Sequence, residues 1–470
     1  MEIESIGKEF MFHPTFSELS FLVVGLINHK NVSSLEYRKL QIQTLFKVNL
    51  GFLRTIVKGT RTTLSQVTVV GAGQAGLLSA EILARKGVDV RVIDRDVNPG
   101  ERKPCGGMLR IAAADLMGIP WRLASRKISG MRVIMPSHQT SEVDYGRVIS
   151  LNIDRGVLGQ YLIERVRKAG GRVETATNVV DLAEIFDGNG SKHYELRCKT
   201  IDGEPKRLKT DLLIAADGTN SIVTRKTKVL NPFKTSQIGQ CVQYQIKLSN
   251  NVIEERIGDR NEVYYGHDVS PFGYAWIFPK DNLVTVGVGA LLSSVRTNLK
   301  KYLDYFVGRH PVAREKLEGG RIVDFEAALC PLSGVVSPTY SDNLVITGDA
   351  AGHCSAISGE GMYYSMVAGK LAGVVCSQAV EAGNFSARFL KRYQSSWTRT
   401  IGSDLRWGKR LQTLALRSGL FSGSFRGERS SLNALVEVVI DILGGIRSYR
   451  QSLLRAIPQF LMSRIAGWHA

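Results

Sequence analysis

Several things are missing from this chain, and each absence narrows what it can be. Its 470 residues hold six cysteines, Cys105, Cys198, Cys241, Cys330, Cys354 and Cys376, and no two share CxxC spacing. Neither a zinc site nor a disulfide framework is suggested, no metal is expected, and a reducing, intracellular setting is the simpler reading. The longest uncharged apolar run near the start, Leu19 to Ile27, is far shorter than the roughly 20 residues of a membrane-spanning helix. It makes a poor secretion signal too, because Glu2, Glu4, Glu9 and Glu18 stand where a basic region belongs; the same acids argue against an organelle transit peptide. No internal repeat, low-complexity stretch or nucleic-acid motif is evident, so no nucleic-acid partner is expected. Acidic residues are scarce: 43 Asp and Glu face 61 Lys and Arg, a net charge of +18. From Arg388 to Ala470 there are 14 basic residues and 4 acidic ones, so over half of the excess sits near the C-terminus. That balance favours an anionic partner, here a membrane surface.

What is present is organised around Val67 to Gly76, VTVVGAGQAG. Val67, Val69 and Val70 form the short apolar run of a buried parallel strand. Gly71, Gly73 and Gly76 follow at GxGxxG spacing, and Leu77 to Lys86 reads as a helix. The first glycine makes the tight turn, the second lets a pyrophosphate reach the backbone, and the third lets helix and strand pack closely. Free N–H groups and the helix dipole favour negative charge at that helix start. A second strand, Val88 to Ile93, ends in Asp94, about 20 residues on, where ribose binding places an acid. The unit reads as a dinucleotide site. With 44% hydrophobic residues the chain can bury a large core in two or three domains.

Further along, the loop Asn98 to Leu109 (NPGERKPCGGML) carries Gly106 and Gly107, whose backbone freedom suits a loop pressed against a planar ring. Met131 to Ser141 and Arg147 to Asn152 read as strands, Val157 to Lys168 as an amphipathic helix, and Arg172–Thr175, Val179–Phe186, His193–Lys199 and Asp211–Ala216 as strands. The last runs into Asp217-Gly218, so ligand groups can meet the strand's carboxyl end. Gln240–Leu248, Glu262–Gly266, Gly273–Pro279 and Leu283–Ala290 form a second, mostly antiparallel region. Within it, PFGYAWIFP places Tyr274, Trp276 and Phe278 on one strand face, either as a wall for a greasy chain or as plain core packing. Asn343 to Ile346 leads to Gly348 and Asp349, and Gly359, Glu360 and Gly361 open a helix to about Gln378 whose positive end suits the anionic edge of a reduced flavin. From Phe389 the pattern is helical and basic, with Trp397, Trp407 and, further on, Leu453 to Trp468. It is either a membrane-interface surface or a helical cap with solvated charges.

In this order, GxGxxG with Asp94, the Asp217-Gly218 strand end, the aromatic strand and the GDAAG-to-helix segment resemble flavoprotein hydroxylases of the p-hydroxybenzoate hydroxylase type. The match is closer to the geranylgeranyl reductase family, which shares KPCGG at Lys103–Gly107 and PxxYxWxFP at Pro271, Tyr274, Trp276, Phe278 and Pro279. The resemblance spans about Gln66 to Arg410. It implies an α/β chain: a Rossmann-type FAD-binding domain (66–112, 145–235 and 335–380), an inserted β-sheet substrate domain (113–144 and 236–334) and a basic helical C-terminal region (381–470). Residues 1–65 are an extension of unassigned role, either a short amphipathic membrane-docking piece or a misplaced translation start.

The resemblance implies FAD held by Gly71, Gly73, Gly76, Asp94, Arg95, Asp217, Gly218, Gly348, Asp349, Gly359 and Gly361. It puts Asp94 on the adenosine ribose, Asp349 near the ribityl chain, and Arg102 to Gly107, with Lys103, Cys105, Gly106 and Gly107, by the isoalloxazine. Tyr274, Trp276 and Phe278 then line an isoprenoid channel. The implied activity is reduction of geranylgeranyl double bonds, here of digeranylgeranylglycerophospholipid-type archaeal ether lipids, by an enzyme that is cytoplasmic and peripheral on the membrane. A second complete GxGxxG unit is not evident, so electrons come from reduced ferredoxin or a transiently bound NADPH. An isolated alkene accepts hydride poorly, so an acid must be at hand. Cys105, Tyr274 and His353 are the candidates; the respective alternatives are packing, wall lining, and phosphate binding or helix capping. Two rivals use the same scaffold: a flavin-dependent monooxygenase or halogenase, and a non-catalytic prenyl-lipid-binding flavoprotein.

Overall fold

The computed structural model describes residues 67–101, 103–418, 438 and 440–455. The N-terminal extension, Arg102 and most of the stretch from Leu453 to Trp468 lie outside the described residues.

Val67–Val70 is buried at every position because it lies inside a six-stranded sheet. The strand order is Tyr340–Ser341, Leu344–Ile346, Leu212–Ala215, Val67–Val70, Val90–Ile93 and Arg172–Glu174. All pairs are parallel except the first. Alternate side chains enter two cores. Val67, Val69, Leu212 and Ile214 pack under the helices Gln74–Arg85, Arg155–Lys168 and Met362–Glu381, and Val70, Leu213 and Ala215 pack on an antiparallel sheet of Thr177–Phe186, Lys192–Thr200 and Pro205–Thr210. Cover on both faces explains the unbroken apolar runs of the central strands. Two of the helices touch through glycine: a Cβ on Gly369 would lie 2.3 Å from Ala75 O, and one on Gly373 2.7 Å from Ser79 O. This close approach holds the N-termini of Gln74–Arg85 and Met362–Glu381 at one cleft.

A seven-stranded sheet stands beside this layer, ordered Arg321–Pro331, Ile238–Lys247, Leu283–Leu291, Gly273–Lys280, Arg260–Tyr264, Gly130–Ile134 and Thr140–Asp144. Its pairs are antiparallel except that Arg260–Tyr264 runs parallel to Gly130–Ile134. The single strand expected over Met131–Ser141 is a hairpin: Pro136 interrupts it and His138 takes a positive φ of 63° in the turn. Among the strands absent from the sequence reading, Met108–Arg110, Ala124–Ile128 and Tyr340–Ser341 are short, and Pro205–Thr210 and Arg321–Pro331 stand at sheet edges with charged residues among the apolar ones. Asn152 ties the layers together, donating to Asn261 Oδ1 (2.7 Å) and Pro279 O (2.8 Å) in a buried position.

The helical C-terminal region begins with Ala387–Thr400 and Gly402–Ser418. The apolar face of the first is already covered: Leu390, Tyr393 and Trp397 are in the core, and Trp397 Nε1 donates to Thr339 Oγ1. Trp397 is therefore a packing residue and faces no interface. No helix among the described residues is long and apolar enough to cross a membrane.

Candidate active site

The carboxyl ends of the parallel strands and one face of the seven-stranded sheet enclose a cleft of about 1240 Å³. The glycine turn forms its first end, and each glycine has its own reason. Gly71 has φ +106°, and a Cβ there would lie 2.2 Å from Ala216 O. Gly76 cannot carry one either, because Gly71 O would be 2.0 Å away; it packs the helix onto the turn behind the cleft wall. Gly73 is exposed in the cleft and a Cβ on it would meet nothing within 4 Å. It caps Gln74–Arg85 without a side-chain hydrogen bond, so the helix N-terminus is open toward the cleft. Gly361 leaves Met362–Glu381 open in the same way.

Asp94 lines the cleft with both oxygens engaged: Ala72 N–H donates to Oδ2 (2.6 Å) and Asp96 N–H to Oδ1 (2.8 Å). Burial pushes its pKa up, against those two hydrogen bonds. Arg95 and Lys103 line the rim beside it, and Lys103 pairs with Asp96 at 3.2 Å. Asp217 accepts from Ile222 N (2.7 Å) and Val223 N (3.3 Å) through Oδ2, while its buried Oδ1 has no partner. Arg155, also in the lining, has a buried Nε without a partner and donates through Nη2 to Gln74 (2.9 Å). Gly218, Gly348, Asp349, Gly359 and Gly361 complete this part of the wall, and burial pushes the Asp349 carboxyl up to about 6. Two open helix N-termini, an exposed glycine and unpaired buried polar atoms are what a dinucleotide needs, so the residues fit FAD.

The other end is apolar. Tyr274, Trp276 and Phe278 project from one face of their strand into the cleft, and Ala275 and Ile277 face the opposite core. Trp276 lies over Gly287, its partner on the next strand; a Cβ there would fall 2.1 Å from the indole. Tyr274 OH donates to Ser358 O (2.6 Å), and burial holds the phenol neutral by raising its pKa well above normal.

The KPCGG loop joins the two ends, and both of its glycines line the cleft with close protein neighbours behind them. The ring against Gly106 is Phe278, whose Cδ2 a Cβ would approach to 1.9 Å; a Cβ on Gly107 (φ +79°) would lie 2.2 Å from Ile153 O. Cys105 Sγ accepts from Gly107 N–H (3.4 Å) and lies 3.9 Å from Met362 Sδ, lining the cleft.

His353 is not brought to the cleft. It is fully buried, its Nδ1 accepts from Gly348 N–H (3.1 Å), and its ring packs edge-on to Trp397 at 4.7 Å. Burial lowers its pKa to about 3, which leaves it neutral. Its place fixes the turn after Leu344–Ile346, and it caps neither Gly348–Ala351 nor Met362–Glu381. Three features escaped sequence reading. Glu360 lines the cleft and forms a buried ion pair with Arg110; its burial raises the carboxyl to about 7 against the pull of the guanidinium. Leu443 enters the apolar wall from the C-terminal region. Gly287 and Gly289 floor the tryptophan, and glycines at alternating strand positions were a readable sign of close approach.

Comparisons with known proteins agree with this layout. Residues 237–329 match the family model of the geranylgeranyl reductase catalytic domain, and residues 64–111 match an FAD binding domain. A digeranylgeranylglycerophospholipid reductase of Methanocaldococcus jannaschii is 30% identical over 390 residues, covering 81% of this chain and 92% of the relative. A chloroplastic geranylgeranyl diphosphate reductase of Arabidopsis thaliana is 30% identical over 353 residues, 71% of each chain. A crystal structure of a geranylgeranyl bacteriochlorophyll reductase-like protein from Thermoplasma acidophilum superposes with a TM-score of 0.71 at 21% identity, over 84% of this chain and 95% of that one. A flavin-dependent halogenase shares the fold at a TM-score of 0.58 and 19% identity, over 74% and 64% of the two chains.

Proposed function

The chain belongs to the geranylgeranyl reductase family, and on that footing we propose that it saturates carbon–carbon double bonds of geranylgeranyl chains on archaeal-type ether lipids of the digeranylgeranylglycerophospholipid class. Its cofactor is FAD. The observation that carries the reading is one continuous cleft lined by Gly71, Gly73, Asp94 and Asp349 at one end and by Tyr274, Trp276 and Phe278 at the other. Reduced FAD supplies the hydride. The chain's own work is to lay the alkene along the aromatic face, to exclude water and to hold a proton near the accepting carbon.

Cys105 is the proton donor in this reading. Its thiol is in the lining and donates only to the Met362 thioether, a weak acceptor at 3.9 Å, whereas Tyr274 commits its hydrogen to Ser358 O at 2.6 Å and His353 lies outside. Cys105→Ser, with FAD content confirmed, is expected to lose turnover by at least about 100-fold while flavin affinity stays within a factor of about two. Unchanged turnover removes Cys105 as a required donor.

Electrons reach the site from reduced ferredoxin or NADPH, and the protein works cytoplasmically at a membrane surface. Exposed Leu414 and Leu454 beside exposed Arg410, Arg417 and Arg455 support the surface reading. Co-sedimentation with anionic but not neutral vesicles, abolished by salt, is the expected behaviour.

The deciding experiment is mass spectrometry of a digeranylgeranyl phospholipid and of geranylgeranyl diphosphate after anaerobic incubation with FAD-loaded protein and dithionite, with a parallel sample given NADPH and air. Hydrogen pairs added to the phospholipid support the proposal. Addition to the diphosphate alone moves the substrate, and oxygen added only in air replaces the reductase with a hydroxylase.

A further inference from the structure

The apolar arm of the cleft has a wall from an unexpected part of the chain. Ile440 and Leu443 are buried in the same cluster as Trp276 and Phe278, and Leu443 also lines the cleft, with Met108, Met131, Val263 and Tyr265. Together Ile440 and Leu443 cover the face of the seven-stranded sheet that Trp276, Val263 and Met131 form on three neighbouring strands.

The segment is fixed rather than merely laid over the opening. Tyr145 OH donates to Asp441 Oδ1 (3.3 Å), and Arg447 Nη1 donates to Asp441 Oδ2 (2.5 Å). Gly444 packs against Met131, whose Sδ a Cβ would approach to 3.4 Å. Gly445, at φ +65°, lies on the Arg110 guanidinium that pairs with Glu360. Tyr449, buried, shares hydrogen bonds with Ser355 (2.5 Å) and Ser358 (3.2 Å), and Ser358 is the residue that also receives Tyr274 OH. Contacts on both sides of Leu443 thus tie the segment to the hairpin and to the loop before Met362–Glu381.

We propose that Leu443 is the specificity-determining stop of the apolar arm, and that this C-terminal segment sets how long an isoprenoid chain the cleft accepts. The inference rests on the reading of the aromatic face as the chain-binding wall. Truncating Leu443 to alanine removes three carbon atoms from the wall, which is space for much of one further isoprene unit. A tryptophan there fills space that the last unit of a geranylgeranyl chain needs.

The test uses full-length, FAD-loaded protein and two readouts: equilibrium binding of farnesol, geranylgeraniol and geranylfarnesol, followed by quenching of protein fluorescence, and hydrogen addition to the three alcohols under dithionite. Leu443→Ala is expected to shift the geranylfarnesol-to-geranylgeraniol affinity ratio toward the longer chain by about tenfold. Leu443→Trp is expected to weaken geranylgeraniol by about tenfold or more and to leave farnesol within a factor of about two. Leu443→Met, close in volume, should keep the wild-type ratios. If Leu443→Trp fails to retain FAD, the alanine and methionine pair decides alone. Wild-type ratios in FAD-loaded Leu443→Ala overturn the proposal. Length-dependent binding without reduction of any alcohol or phospholipid leaves the stop in place and overturns the reductase reading; reduction with unshifted ratios does the reverse.

Discussion

The glycine turn at the cofactor end of the cleft takes its shape from residues five positions apart and from the adjoining strand end, whereas the apolar arm is assembled from strands, loops and a C-terminal segment spread between Met108 and Leu443. At the glycine turn the constraints are all backbone: Gly76 meets Gly71 O, Gly71 meets Ala216 O at the end of the adjoining strand, and Gly73 faces open space in the cleft. In the apolar arm, Trp276 needs Gly287 opposite it, Phe278 needs Gly106, and Leu443 arrives after the sheet is complete. The comparison teaches that a local cradle is fixed by backbone sterics, which few residue types satisfy. A distributed wall is fixed by packing, which many combinations satisfy.

The sharpest way to break this contrast is at Gly71. Gly71→Ala should cost about 3 kcal/mol or more, because a left-handed backbone and an overlap with Ala216 O add together. Urea unfolding and FAD content would both show it. Gly73→Ala in the same turn should leave unfolding unchanged and weaken FAD by about tenfold or more, since the added methyl stands in ligand space. Equal damage from the two would mean that the turn is not divided as described.

Acid probes the turn that His353 fixes outside the cleft. His353 is buried and neutral, with its pKa lowered to about 3 from an ordinary 6.5. Between those values the unfolded chain binds a proton that the folded chain does not, so stability falls as pH drops through the window. The contribution reaches about 2 kcal/mol at pH 5. His353→Asn should lose that part of the acid slope, measured as the difference between the two proteins' unfolding free energies at pH 7 and pH 5. An unchanged difference would place the histidine's ring in contact with water.

The apolar arm should respond more gently. Gly287→Ala forces the Trp276 indole off its seat and should cost about 1 to 2 kcal/mol while FAD binding persists, with geranylgeraniol affinity reduced. Gly289→Ala is the smallest effect, within about 0.5 kcal/mol, because its methyl would meet Cys241 Sγ at 3.4 Å and the indole at 3.5 Å, both ordinary contacts. If Gly289→Ala matched Gly287→Ala, the flooring of the tryptophan would not depend on the register Trp276↔Gly287.

Much of the framework was legible before any coordinates. The run Val67–Val70, the three glycines and Asp94 name a strand, a turn, a helix and an acid at one sheet edge, since each step depends on the next few residues. The alternation Tyr274, Trp276, Phe278 was legible for the same reason: a strand has period two wherever it pairs. The split of Met131–Ser141 was signalled by Pro136, which the apolar residues on either side outweighed. The edge strand Arg321–Pro331 carried no clean alternation, because an edge with charged neighbours has no single buried face.

Local sequence, then, determined the cofactor cradle, the class of fold and the aromatic face, because backbone geometry and side-chain period are properties of a few consecutive residues. Tertiary structure alone decided that Gly106 faces Phe278, that His353 turns away from the cleft, that Glu360 meets Arg110 and that Leu443 lines the apolar arm. Each of these is a meeting of segments far apart in the chain, and it is set by how two sheets and a C-terminal segment pack rather than by any pattern written within one of them.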